Sequence, residues 1–370
     1  MKKSLLTLAV LSGFAAASMA ADVQVYGLID TGLTYYHTDA DKAGVDSTDE
    51  LKMTTGQEFG PRFGLRGTED LGNGYKVGFV LENGFNSDDG QLTQSGKIFG
   101  RESNVYVTGP FGEVRFGLMP VFGSTLGANG LFRAIDVLYA NTTSAFGSGH
   151  ASASKWTRVN NAISYKTPTF AGLTGYAMYS MKNDSDDGAE NKTTSERYAS
   201  LAARYQNGAF EAIVVGDMTM YAGNDKNNGD DGMTWTVGGN YTFDNQLKVI
   251  AFVQWFKDQQ LSRAGIIADG LTQHLGAATY GYVDGLGYSL GVNYPIGGGV
   301  AKAQVAYRDM ENQNDVDFKR LTLCAGYDYA FTKRTSVYLM GGWTQEKIES
   351  ATIDAKPSGY ELTTGILHRF

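Results

Sequence analysis

From Gly359 to Phe370 the residues Tyr360, Leu362, Thr364, Ile366, His368 and Phe370 alternate with a second set, so they fall on one face of an extended strand. The same period of two recurs along the chain. Trp235, Val237, Gly239, Tyr241 and Phe243 stand opposite Thr234, Thr236, Gly238, Asn240 and Thr242. Leu286, Tyr288, Leu290, Val292 and Tyr294 stand opposite Gly287, Ser289, Gly291 and Asn293, and Val337, Leu339, Gly341 and Trp343 repeat the pattern near the end. One face is apolar and aromatic and the other small and polar, which suits strands with lipid on one side and water on the other. Alternation carried through to a terminal aromatic residue fits a strand that closes a barrel, because hydrocarbon does not tolerate an unpaired backbone edge.

The connections between these segments come in two lengths. Asp70 to Gly74, Gly109 to Gly112, Asp244-Asn245, Gly297 to Gly299 and Thr332 to Arg334 are short turns. Thr38 to Thr55, Asn183 to Ser195, Gly223 to Gly232 and Glu349 to Ser358 are longer and polar. Short turns on one side of a membrane and long loops on the other are the mark of an outer-membrane barrel, and the pattern predicts an all-β, transmembrane antiparallel barrel of roughly 16 strands. One connection stands apart. Pro120 to Lys155 has no clear alternation and no excess of charge, yet it carries Phe122, Leu126, Leu131, Phe132, Ile135, Val137, Leu138, Tyr139 and Phe146. A loop that long and apolar needs a surface to pack on, and the nearest is the barrel's own interior.

Composition agrees with this picture. There are 48 Gly, 22 Tyr and 19 Phe against 6 Pro, a balance of aromatic strands and tight turns. Past residue 20 no run of about 18 apolar residues occurs, which excludes a helical membrane protein, and the mean hydropathy of −0.25 suits strands that face water on one side. Met1 to Ala20 reads as a secretory signal peptide, with Lys2 and Lys3, an apolar core from Leu5 to Ala17 and Ser18-Met19-Ala20 at the cleavage site. The barrel domain is then expected over 21–370. Removing Lys2 and Lys3 leaves 29 basic residues against 39 acidic ones, a net charge of −10, which argues against nucleic acid as a partner. Cys324 is the sole cysteine, so no internal disulfide forms.

Several segments then resemble the Gram-negative general porin family, in particular its β-proteobacterial and neisserial members. They are Val25 to Asp30, Pro61 to Gly74 (PRFGLRGTEDLGNG), Leu81 to Phe85, Phe99 to Glu102, Phe111-Gly112 with Val114, Asn161 to Tyr165, Thr167-Pro168, Phe170 to Gly172 and the closing His368-Arg369-Phe370. The resemblance implies a 16-stranded barrel, a homotrimer in the outer membrane of a Gram-negative bacterium, and a third loop folded inward to narrow a water-filled channel for small hydrophilic solutes and ions. Here that loop is 120–155. It also implies a constriction set by cations on the wall facing acids on the loop. Arg62 and Arg66 match cationic positions of the second strand, and alternation independently turns both inward, opposite Phe63 and Leu65. Arg158 matches the arginine opening the strand after the loop. Arg101 matches a fourth position, although parity with Val105 and Val107 sends it outward unless a bulge intervenes. Leu118 and Met119 depart from the arginine and polar residue that relatives commonly carry. The loop offers one clear acid, Asp136, beside Arg133, so the negative side of the transverse field is expected to be weak, with Glu82 as a supplement.

Other chemistry finds little support. His37, His150, His274 and His368 sit in unrelated contexts, without metal spacing and without a serine and base brought together, so neither an enzyme nor a metal or other cofactor is expected. Tyr26, Tyr106, Tyr139 and Tyr176 could line a sugar path in a substrate-specific channel, but most aromatics fall on the lipid-facing parity or near strand ends, as interfacial girdles do. Asp184, Asp186, Asp187, Glu190, Asp225, Asp230 and Asp231 make acidic outer loops, read first as solvated and second as a cation bridge to lipopolysaccharide. The expected function is passive diffusion with a weak anion preference. The alternatives are a substrate-specific channel and a non-conducting adhesin or envelope-anchoring barrel.

Overall fold

A computed structural model describes residues 22–138, 151–183, 189–223, 230–260 and 281–370. The strands are β1 (Gln24–Asp39), β2 in two segments (Thr48–Thr55 and Arg62–Gly72), β3 (Tyr75–Gly84), β4 (Glu102–Gly109), β5 (Gly112–Pro120), β6 (Arg158–Lys166), β7 (Leu173–Ser180) and β8 (Arg197–Asn207). They continue as β9 (Phe210–Met220), β10 (Gly232–Thr242), β11 (Lys248–Gln260), β12 (Tyr282–Ile296), β13 (Gly299–Asn312), β14 (Asp317–Ala330), β15 (Thr335–Glu349) and β16 (Ser358–Arg369). Each pairs antiparallel with its predecessor, and β1 pairs with β16 from Leu28↔Arg369 to Asp39↔Ser358, so the sheet closes as a 16-stranded barrel. Gly27 and Phe370 extend this seam by exchanging backbone hydrogen bonds of 3.2 and 3.0 Å. No helix among the described residues is long and apolar enough to cross a membrane.

The faces follow the alternation. Trp235, Val237, Tyr241, Leu286, Leu290, Tyr360, Leu362, Ile366 and Phe370 are exposed on the outer wall, whereas Thr234, Thr236, Asn240 and Ser289 are buried inside. Outer aromatics pair close to the short turns, Tyr241 with Phe243 at 4.8 Å, Tyr329 with Phe331 at 5.2 Å and Tyr75 with Phe111 at 6.2 Å, as an interfacial girdle requires. The segment Thr38 to Thr55 differs from the loop its polarity suggests. Thr48–Thr55 pairs residue for residue with Thr31–Thr38, and polar side chains populate both faces of the hairpin.

β2 is interrupted. Its first segment pairs with β1 up to Thr31↔Thr55 and its second resumes at Leu28↔Arg62, so Gly56 to Pro61 face only Ile29 and Asp30. The surplus leaves the sheet and folds inward. Pro61 has no N–H for a ladder, and Gly56 takes φ +63, a conformation open to glycine. Asp30 anchors this infold: its carboxylate accepts the backbone N–H of Glu58 (2.9 Å) and of Phe59 (2.7 Å), and the hydroxyl of Tyr338 on β15 (2.7 Å).

The described parts of the long connection between β5 and β6, residues 121–138 and 151–157, also lie inside. Val121, Phe122, Leu131, Phe132, Ile135, Val137 and Leu138 are buried together with inner-wall residues such as Ile213, Val215, Ile250, Phe252 and Met340. The wall makes room by lacking side chains. A Cβ at Gly238 would stand 2.7 Å from Ile135 Cγ2, one at Gly291 2.5 Å from Val137 Cγ2, and one at Gly326 3.3 Å from Leu138 Cδ2, while one at Gly287 would run into the Ala151 carbonyl oxygen. Two hydrogen bonds add direction, from Asn240 Nδ2 to Ala134 O (2.7 Å) and from Ala153 N to Gln254 Oε1 (2.6 Å). Burying Ile135, Val137 and Leu138 contributes about 1.5–3 kcal/mol each, enough to hold the loop to the wall.

Candidate functional site

Where the loop departs at Pro120 and returns at Arg158, the paired ends of β5 and β6 bring charged residues of β2 to β6 together. Glu82 on β3 is the hub. Arg101 Nε donates to Glu82 Oε1 at 2.7 Å, the Tyr26 hydroxyl on β1 donates to Oε2 at 2.9 Å, and Arg62 Nη1 stands 3.9 Å from Oε1. Arg158 Nε donates to the carbonyl of Arg101 at 2.9 Å, and Arg62 Nε donates to the carbonyl of Gly60 in the infold at 2.9 Å. Arg62 and Arg101 therefore share the Glu82 carboxylate, and Arg158 is held beside them through the Arg101 backbone.

Arg101 corrects the parity argument. It faces the interior at 3% exposure, bonded to Glu82. The reason is local: β4 begins only at Glu102, so Arg101 precedes the ladder and its alternation does not apply. Its backbone N–H still reaches the Glu82 carbonyl at 3.1 Å, which holds it beside β3.

Arg66 shares the inner face of Arg62 but lies four residues nearer the short-turn end of β2. It donates to Gln24 Oε1 at 3.2 Å and covers the Tyr26 ring at 4.9 Å. It therefore meets the cluster only through Tyr26.

Asp136 also departs from expectation, because it is 2% exposed and presents no carboxylate to water. The segment Ile135 to Leu138 is drawn onto the wall, and Asp136 goes with it. The loop turns Arg133 outward instead, with Nε donating to the Thr125 carbonyl at 2.7 Å and its charge acting on Arg62. The face of the loop toward the cluster is thus cationic.

The sequence did not single out Glu102, Asn104 or Arg115. They form the next layer toward the short turns: Arg115 Nη1 donates to Asn104 Oδ1 at 2.7 Å, stands 3.9 Å from Glu102 Oε2, and Nη2 reaches Glu113 at 2.9 Å. The guanidinium lies 4.4 Å over the Tyr106 ring. Their signal was inner-face parity on β4 and β5. Tyr26, Tyr106 and Tyr176 all face inward, but the first two support arginines and Tyr176 packs on Phe122 at 5.4 Å, so they form no continuous path. Tyr139, His150 and His274 lie outside the described residues. His37 bonds Asp49 at 2.9 Å, and His368 faces lipid beside Thr335 at 2.9 Å. No group of acids, histidines or cysteine among the described residues is arranged to hold a metal.

Comparison with known proteins places these features in context. A family model described as Gram-negative porin matches residues 7–348. An outer membrane porin protein of Bordetella pertussis is 31% identical, covering 100% of both chains. Outer membrane porin protein 32 of Delftia acidovorans is 33% identical over 91% of this chain and 88% of its own. Among solved structures, an anion-selective porin from Comamonas acidovorans superposes with a TM-score of 0.67 at 27% identity, over 94% of this chain and 99% of that one.

Proposed function

The chain belongs to the Gram-negative porin family and forms an outer-membrane channel for passive diffusion, and from that premise we propose that it is a homotrimeric, weakly anion-preferring pore. The carrying observation is the cluster itself. Arg62 and Arg101 meet the single carboxylate of Glu82, Arg158 is bonded beside them to the Arg101 carbonyl, and the next acid along the wall, Glu102, is met by Arg115. The described limbs of the inward loop, 121–138 and 151–157, narrow the passage beside them and add Arg133 in place of an acid. A positive excess in a neck with low-dielectric walls raises the local anion concentration even though the chain as a whole is acidic. The relative from Comamonas acidovorans, described as anion-selective, supports the same direction. Residues 1–20 act as the export signal, the outer wall contacts lipid and lipopolysaccharide, and no reaction is catalysed.

Planar-bilayer recording of single channels under a salt gradient tests this reading. Conductance that rises with salt without saturating, and a reversal potential on the anion side, are the expected results. A saturable current blocked by a ligand would indicate a substrate-specific channel instead, and a barrel without conductance would remove the diffusion role.

A further inference from the structure

We propose that Glu58 and Lys302 are positioning residues for Arg62, acting through the infold Gly56 to Pro61. The inference rests on Arg62 belonging to the field that selects ions. Arg62 Nε is held by the carbonyl of Gly60, two residues away, so the orientation of its guanidinium depends on where the infold sits. The infold is fastened at both of its sides. Asp30 holds the Glu58 and Phe59 amides from β1, and the Phe59 ring lies 5.2 Å from the Arg369 guanidinium of β16. On the far side, the Glu58 carboxylate reaches past β16, β15 and β14 to Lys302 Nζ on β13 at 4.0 Å, and Lys302 is itself paired with Asp328 on β14.

Both Glu58 and Lys302 are buried. They meet the infold and the wall rather than the passing solute. Removing one partner leaves the infold fastened only on its Asp30 side, so Gly60 shifts and Arg62 moves with its acceptor toward closing the 3.9 Å gap to Glu82. A guanidinium collapsed onto Glu82 contributes less positive potential to the neck.

The test uses signs. At an alkaline pH where Glu58 is ionised, charges acting directly on the pore would shift selectivity in opposite directions, because Glu58→Gln then deletes an anion and Lys302→Met deletes a cation. Acting through Arg62, both lower the anion-to-cation permeability ratio, by about one-and-a-half- to twofold for a unit charge displaced a few ångströms in a wet neck. Reversal potentials are measured on trimers with unaltered heat resistance. Lys302→Arg retains the parent ratio, and in an Arg62→Gln background neither substitution shifts it further. Glu58→Gln is isosteric and decides the sign alone if Lys302→Met inserts poorly. A rise in anion preference for Glu58→Gln, no shift in either variant, or shifts of undiminished size in the Arg62→Gln background would each overturn the proposal. An Arg62→Gln variant that itself keeps the parent ratio would overturn the constriction reading beneath it, a distinguishable outcome.

Discussion

Replacing Arg62 and Arg158 by glutamine removes two of the three guanidiniums of the cluster and leaves Arg101 on Glu82. The choice follows from the contacts. Arg101 makes the 2.7 Å bond to the buried Glu82 carboxylate, and breaking a buried pair costs about 3–5 kcal/mol of stability, which would confuse selectivity with folding. Arg62 stands 3.9 Å off and Arg158 bonds only the Arg101 backbone, so Glu82 keeps Arg101 and Tyr26 after both are gone. A unit charge about 8 Å from a permeating ion is worth about 0.5 kcal/mol at the dielectric of water and about 2 kcal/mol at an effective value of about 20. The lower figure suits a hydrated neck. It lowers anion partitioning about twofold and raises cation partitioning as much, so the permeability ratio falls about fivefold per arginine. The double variant should therefore reverse at or beyond neutrality in a potassium chloride gradient, with trimer yield close to the parent's. Raising the salt concentration should shrink the difference, since the screening length falls from about 10 Å at 0.1 M to about 3 Å at 1 M. A double variant that inserts normally and keeps the parent's reversal potential and conductance at low salt would refute the assignment.

Gly287→Val puts a side chain against the Ala151 carbonyl. The returning limb of the loop should be pushed from the wall into the lumen, lowering single-channel conductance at an overpacking cost of about 1–3 kcal/mol; parent-like conductance from well-inserted barrels would contradict that seat. Deleting Phe370 removes both backbone bonds to Gly27 at the seam, each worth about 1 kcal/mol. The heat-resistant fraction recovered from outer membranes should drop, and full recovery would count against a role in closure. Light scattering in mild detergent should give three chains of roughly 37–38 kDa each, the 39.9 kDa chain less its signal, whereas a single-chain particle would exclude the trimer.

Where a residue lies within a ladder, sequence parity located it. Arg62 and Arg66 turn inward opposite Phe63 and Leu65, and the lipid face of β16 from Tyr360 to Phe370 is the one its alternation describes. Parity failed at the edges of ladders. Arg101 lies one residue before β4, where no pairing fixes its direction. The infold left a trace in Gly56, Gly60 and Pro61, but a proline and two glycines specify a break and not the path taken across the break. Asp136 shows a further limit: a carboxylate in an apolar stretch follows its neighbours onto the wall, and nothing in the local sequence reveals which face of an irregular loop is pulled down. Thr48–Thr55 hid because only Leu51 and Met53 are apolar on its outward face, between Asp49 and Thr55, so the contrast on which alternation depends is too short to stand out.

The bond from Tyr338 to Asp30 joins residues 308 positions apart and straddles the junction of the two chain ends, as does the link from Glu58 to Lys302. Neither can form while β16 is undocked from β1. The interior arrangement beside Arg62 is therefore among the last parts of the molecule to acquire its native form, since contacts this distant in sequence give nothing back until the intervening chain is ordered. An incompletely zipped intermediate has the strands but not the furnishings. A barrel arrested before its final strand docks would hold the arginine cluster of β1 to β6 but lack the two cross-barrel fastenings of the infold that supports Arg62.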